Sequence, residues 1–332
     1  MRKAKKYAVR TGGLLLVVCL GVAAYPFIMP DMEARTLDAQ ERTHLEQTQG
    51  LDFVQLSEGV TRYEWAGPPD GPVVVLIHGY TGPCSIWDHT APALASAGFR
   101  VLRYDLFGRG YSDRPHLRYT AEVFDRQLAD LLGAFDIDAP VSLVGLSMGG
   151  AITVHFVDRH PEKVRAFALL APAGFPLDID PRYSAMRWPG VGEWLLQAFG
   201  DAKLPAALER MGVPEGTPYR EEFLAQMTYH GYKRALLSTY RNNPLLSLAP
   251  VYERVGAQDT PSLLIWGTAD HVVPFGHHEH VQEAIPHIAF HAIQEAGHTA
   301  CYEMPEEVNP PLIAFLEKNA ATPAIAEAAN TQ

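Results

Sequence analysis

The chain has 332 residues, 27 Lys and Arg against 38 Asp and Glu, and a net charge of −11. Apolar residues make up 47% and charged residues 20% of it, which excludes a disordered, collagenous or multispan membrane chain and fits one large globular domain or a domain carrying an insertion. The acidic balance leaves no basic stripe to release counterions from phosphates, so no nucleic-acid partner is expected, and three cysteines without a CxxC pair exclude a disulfide framework and a structural zinc site.

Arg2, Lys3, Lys5, Lys6 and Arg10 precede an uncharged run from Thr11 to Pro30, centred on Leu14 to Leu20. Roughly 20 residues at ~1.5 Å each match the ~30 Å hydrocarbon core of a bilayer. A basic start followed by an apolar run is the pattern of an export signal, with the cations left on the cytoplasmic side. Two readings compete. The segment is either a retained signal anchor or a signal peptide cut after Ala24, where Val22, Ala23 and Ala24 offer small residues. Tyr25 to Met29 prolong the apolar run beyond that site, which favours the anchor and places the body of the protein on the exported side, periplasmic or extracellular. Cleavage would instead make it secreted. Residues 31–50, with Glu33, Arg35, Asp38, Glu41, Arg42 and Glu46, read as a polar stalk, helical in part.

From residue 51 onward, apolar β-branched runs alternate with helical patterns. Val73 to Ile77, Val101 to Tyr104, Val141 to Val144, Phe167 to Leu170 and Leu263 to Trp266 read as strands buried on both faces. Ile288 to Ile293 reads as a further strand, and Ala121 to Phe135 and Met148 to Arg159 as helices. Alternation of this kind predicts an α/β fold, a mostly parallel central sheet flanked by helices, with function at the carboxyl ends of the strands. The expected core spans 51–174 and 252–320. Residues 175–251, rich in Trp, Tyr, Met and Pro, break the pattern and predict a helical cap inserted over that carboxyl edge. An Ala-rich flexible tail follows at 321–332.

Gly145-Leu146-Ser147-Met148-Gly149 lies between a predicted buried strand and a predicted helix, the setting of a nucleophile elbow. A sharp turn exposes the serine, flanking glycines let neighbouring backbone approach, and the helix N-terminus favours developing negative charge. A serine hydroxyl needs a base and an acid to orient that base. Asp270 follows Trp266-Gly267-Thr268-Ala269 beyond one predicted strand, and His298 follows Glu295-Ala296-Gly297 beyond another, so both fall on strand-end loops. Glu295 and Glu303 are near His298 in sequence but off the expected acid loop. Asp105 reads as a loop-stabilising carboxylate. His271, His277, His278 and His280 cluster like metal ligands, but three of them share one predicted helix without carboxylates at a fixed spacing, and no metal is expected. Two backbone N–H groups are expected to receive an oxyanion, those of Met148 and of Tyr80 in the loop His78-Gly79-Tyr80-Thr81-Gly82, with His78 and Gly79 supporting that loop.

His78-Gly79, Asp105 to Ser112, Gly145 to Gly150, Gly267 to Asp270 and Gly297-His298 together resemble the α/β-hydrolase superfamily over about residues 52–320. Within it the chain looks like the capped lipase and esterase branch, including monoacylglycerol lipases with an N-terminal membrane segment. The resemblance implies hydrolysis of a small-molecule or lipid ester through an acyl-enzyme, without a cofactor. In that scheme Ser147 is the nucleophile, His298 the base and Asp270 its orienting acid, with Tyr80 and Met148 forming the oxyanion hole. Ser147 disfavours the dehalogenases and epoxide hydrolases of this fold, which carry an aspartate at the elbow. Carbon–carbon bond hydrolases and perhydrolases share the triad and remain alternatives, as does a non-catalytic tethered binding protein. For an exported domain, Cys84 and Cys301, on loops expected to border the site, are either a disulfide or two buried thiols.

Overall fold

The computed structural model describes residues 31–176, 184–211, 213–242 and 247–320, with Gly21, Ala24, Tyr25 and Ile28. An eight-stranded sheet organises these residues. Its strands are β1 (Asp52–Gln55), β2 (Val60–Ala66), β3 (Val73–Ile77), β4 (Arg100–Tyr104), β5 (Val141–Leu146), β6 (Val164–Leu170), β7 (Ser262–Gly267) and β8 (Ala289–Ile293). They lie in the order β1-β2-β4-β3-β5-β6-β7-β8. The β1–β2 and β2–β4 pairs are antiparallel, and all pairs from β4 to β8 are parallel. This is the α/β-hydrolase fold, a mostly parallel sheet flanked by helices.

Burial explains which strands were legible. All six residues of β5 and of β7 are buried, as are Val74 to Ile77 of β3, so these strands read as unbroken apolar runs. The β1–β2 hairpin escaped the sequence reading because β2 mixes Thr61, Arg62, Tyr63 and Glu64. Arg62 is nevertheless buried, and it pairs with Glu64 at 3.3 Å.

Two apolar layers cover the sheet. On one face Phe124, Leu128, Phe156 and Tyr252, from helices Ala121–Ala134, Met148–Arg159 and Ala249–Gly256, pack on Leu143, Phe167 and Trp266. On the other, Leu94 of helix Thr90–Ser96 and Val308, Leu312 and Leu316 of helix Pro305–Asn319 pack on Val144, Ala168 and Ile265. In the stretch expected to form the insertion, the described residues include helices Val191–Lys203, Pro205–Arg210, Pro218–Gln226 and Tyr232–Asn242, and no strand of the sheet.

The sheet also sets where a site can form. From β3 the chain passes to β4 on one side, then returns to β5 on the other. Ile77 and Gly145 are register partners at the carboxyl ends of β3 and β5, and the loops leaving them diverge, opening a crevice.

The 31–50 stretch, expected as a polar stalk, is helical in part and docks against the body. Arg35 and His230 exchange backbone bonds with the 228–230 turn and with Arg35, respectively, at 2.9 and 2.8 Å. Glu33 accepts the N–H groups of Gly231 and Lys233, and the Lys233 ammonium bridges Asp31 at 2.8 Å and Asp201 at 2.7 Å. Helix Ala39–Gln49, capped by the Asp38 carboxylate and by Gly50 at φ 65°, then buries Leu45 against Tyr111 and Tyr229. Asp31 and Glu33 of this stretch are thus partners for a cation and for two N–H groups of the body. The apolar run Thr11 to Pro30 lies outside the described residues except at the four positions named above, and the 321–332 tail lies outside them entirely. Among the described residues no helix is long and apolar enough to cross a membrane.

Candidate active site

Ser147 forms the corner between β5 and helix Met148–Arg159, with φ 55° and ψ −117°. Non-glycine residues rarely hold a positive φ, so surrounding bonds must maintain it. The Ser147 N–H donates to Leu170 O at 2.9 Å, and its carbonyl accepts the N–H groups of Gly150, Ala151 and Ala173. Both flanking glycines are sterically required. A Cβ at position 145 would lie 2.3 Å from Gly149 O, and one at position 149 would lie 2.1 Å from Ile77 O. Bare Cα atoms thus let the turn nest against the end of β3.

His298 and Asp270 come from the loops after β8 and β7. The His298 Nδ1 lies 2.8 Å from Asp270 Oδ2, and both residues are buried. The other carboxylate oxygen, Oδ1, accepts the N–H groups of Val272 and Val273 at 2.8 and 3.0 Å. Three donors therefore surround the carboxylate, which defines its orientation and that of the imidazole. The two loops also touch directly. Ala269 N–H donates to Ala296 O at 2.9 Å, and a Cβ on Gly267 would meet that carbonyl at 2.3 Å.

The loop after β3 passes over the serine. A Cβ at Gly79 would lie 3.4 Å from the Ser147 Cβ and 3.8 Å from its Oγ. His78 beneath it is fully buried. Its Nε2 accepts Leu106 N–H at 2.8 Å, which leaves the proton on Nδ1 to bond Gly79 O at 2.8 Å. Burial lowers its pKa to about 4, so His78 is a neutral strut inside the loop. Tyr80 is anchored at both ends, its carbonyl accepting Arg109 Nε at 2.8 Å and its hydroxyl donating to Leu236 O at 2.7 Å. Met148 is buried at the first position of the elbow helix. Ser147, Gly79, Tyr80 and His298 line one cavity of about 460 Å³, whose remaining wall includes Ile86, Met211 and Tyr219. The structure thus brings the sequence-predicted residues Ser147, His298, Tyr80 and Gly79 to one pocket, with Met148, Asp270 and His78 directly behind it.

Other residues sort differently. Asp105 is buried and accepts Cys84 N–H at 2.7 Å and Tyr111 N–H at 2.9 Å, which ties two loops together. His271 lines the cavity, whereas His278 bonds Phe275 O and His280 stacks on Phe175. Cys84 and Cys301 are buried free thiols, so the disulfide alternative is not realised. Burial pushes both thiols up, and Cys84 also contacts the Arg62 guanidinium.

Sequence reasoning missed several residues around the site. Arg109 is fully buried among Tyr80, Tyr119 and Phe124, and donates to the carbonyls of Tyr80 and Phe107 and to Thr239 Oγ1. Gln226 and Tyr232, from the helical stretch, both donate to Thr81 O at 2.9 Å. Glu303, set aside as an acid for His298, instead bonds the backbone on both sides of it. Only Arg109 carried a sequence signal, its place within the Asp105 to Ser112 motif.

This chain belongs to the alpha/beta hydrolase fold family, whose family model matches residues 72–305. It is similar to the dihydrolipoyllysine-residue acetyltransferase component of the acetoin cleaving system of Pseudomonas putida, 28% identical over 93% of this chain and 81% of that one. It is also similar to the pimeloyl-[acyl-carrier protein] methyl ester esterase of Chromobacterium violaceum, 29% identical over 69% of this chain and 87% of that one. Among solved structures, the enol-lactonase from Burkholderia xenovorans LB400 superposes with a TM-score of 0.65 at 25% identity, covering 80% of this chain and all of that one.

Proposed function

We propose that the protein is a serine hydrolase that cleaves carboxylic esters with an apolar acyl or alcohol part, lipid-like or of monoacylglycerol type. One observation carries the reading. The Asp270-bound imidazole of His298 and the hydroxyl of Ser147 line the same cavity, under the loop that runs from Gly79 to Gly82. Asp270 holds the proton on Nδ1, so Nε2 is the basic nitrogen. His298 takes the Ser147 proton as Oγ attacks the ester carbonyl. The N–H groups of Met148 and Tyr80 receive the oxyanion, and the alcohol leaves with the proton from His298. Water, deprotonated by the same nitrogen, then adds to the acyl-enzyme, and His298 returns that proton to Ser147 Oγ as the acid is released. The esterase named among the relatives supports the reaction class. Ile86, Met211 and Tyr219 supply the apolar walls that such a substrate needs.

The site of action in this proposal is a membrane surface on the exported side, with the N-terminal run as anchor. Five exposed large hydrophobic residues support it. Tyr25 and Ile28 lie in that run, and Trp188, Val191 and Phe199 lie at or on helix Val191–Lys203, with the Tyr25 and Phe199 rings 6.4 Å apart.

Hydrolysis of p-nitrophenyl esters from acetate to palmitate, and of monoacylglycerols, by the full chain and by Ser147→Ala tests the chemistry. Activity that peaks at one chain length and is lost in the variant is expected. A folded wild-type chain inactive on every ester overturns the ester reading and directs attention to carbon–carbon bond cleavage or to binding alone.

A further inference from the structure

We infer that Glu303 is a positioning residue for His298, acting through the backbone and not through the imidazole. The inference rests on the proposed role of His298 as base. His298 lies between Gly297 and Thr299, and the N–H groups of these two neighbours converge on one carboxylate. Gly297 N–H donates to Glu303 Oε2 at 2.8 Å, and Thr299 N–H donates to Oε1 at 3.0 Å. The Thr299 hydroxyl lies 2.7 Å from the same Oε1 and 2.9 Å from Met211 O. A hydroxyl has one proton, so it satisfies one of these acceptors at a time, and the charged oxygen is the stronger.

The geometry is specific to this arrangement. A Cβ at position 297 would lie 2.9 Å from the carboxylate, so glycine lets the acid close on the chain. Glu303 is anchored in turn, because its own N–H donates to Thr299 O at 2.9 Å and the preceding Ala300, Cys301 and Tyr302 are buried. The His298 loop is therefore gripped from two sides. The Asp270 loop holds it through Ala296 O and through the ring nitrogen, which sets how the imidazole is turned. Glu303 holds the peptide groups before and after His298, which sets how far the imidazole projects toward Ser147.

A plain helix cap would use the same bonds, so the test must separate positioning from folding. Wild type, Glu303→Ala and Glu303→Gln would be compared for kcat, KM, urea unfolding midpoint and rate of fluorophosphonate labelling at Ser147, with kcat counted per labelled site. Displacing a reacting group by about 1 Å costs on the order of 100-fold in rate, so Glu303→Ala is expected to lose about 10- to 100-fold in kcat and in labelling rate with KM nearly unchanged. Glu303→Gln keeps one acceptor oxygen and should fall between the two, which also provides the result should the alanine variant fail to fold. If variants are less stable yet label and turn over at the wild-type rate per site, Glu303 is only a cap and the inference is overturned. If wild type neither labels nor hydrolyses an ester, the reading of the site itself falls, and this inference with it.

Discussion

The side-chain amide of Gln226 donates to Thr81 O at 2.9 Å, while its carbonyl oxygen accepts Gly110 N–H at 2.7 Å. One fully buried side chain thus joins the helical stretch to two loops of the core, one of which crosses Ser147. Gln226→Leu keeps the volume but leaves Gly110 N–H without this partner and Thr81 O with the Tyr232 hydroxyl alone. Each buried polar group left unpaired costs about 1–3 kcal/mol. The variant should lose about that much in urea unfolding. Its kcat on the best ester should fall by about 10-fold, because the loop carrying the Tyr80 N–H loses one of its two ties at Thr81. Unchanged kcat with lowered stability would show that the core alone sets the loop.

Asp270→Asn tests the orienting acid. An amide would present an NH2 group to at least one of three donors, His298 Nδ1–H, Val272 N–H or Val273 N–H. The imidazole should then favour the tautomer with its proton on the nitrogen facing Ser147. A loss of about 10⁴-fold in kcat is expected, with substrate binding retained. Steady-state kinetics on the same ester series would read it, and a loss under 10-fold would remove Asp270 from the proposed scheme.

His78 predicts an acid sensitivity. Its folded pKa is lowered to about 4, below the ordinary histidine value, so between the two the unfolded chain binds a proton that the folded chain refuses. Stability from this group is whole above about pH 6.5 and falls as the pH drops toward 4, by about 3 kcal/mol in total. Urea midpoints measured from pH 7 to pH 4 should show this decline, and His78→Gln should flatten it. Equal slopes in the two proteins would assign acid unfolding to other groups.

Lys233 predicts how the 31–50 stretch is retained. Its ammonium joins Asp31 and Asp201, with 6% of its side chain exposed. Lys233→Met should weaken the docking of residues 31–37 and speed proteolysis there, with kcat within about twofold because the cavity lining is untouched. Mass mapping of early cleavage products reads this directly. Wild-type cleavage kinetics would mean that the Glu33 carboxylate and the Arg35 backbone bonds suffice.

Much of this protein is legible in its sequence. The strands β3, β5 and β7 announced themselves because burial on both faces demands unbroken apolar runs, and the elbow did so because its steric demand for glycine is local. Asp270 and His298 followed from their places beyond strands. Hidden from that reading were the β1–β2 hairpin, the docking of the 31–50 stretch, and the roles of Arg109, Gln226 and Glu303.

These share a physical cause. Periodicity and backbone sterics act between near neighbours, so a string of residues displays them. A polar side chain declares only its capacity to bond, and its partner is settled when packing brings distant chain together. Gln226 and Thr81 are 145 positions apart, and Lys233 and Asp31 are 202. Glu303 is only five residues beyond His298, yet its part emerged only once a turn folded its carboxylate back over both neighbours of the histidine, where an unpaired N–H would otherwise have been left without a partner.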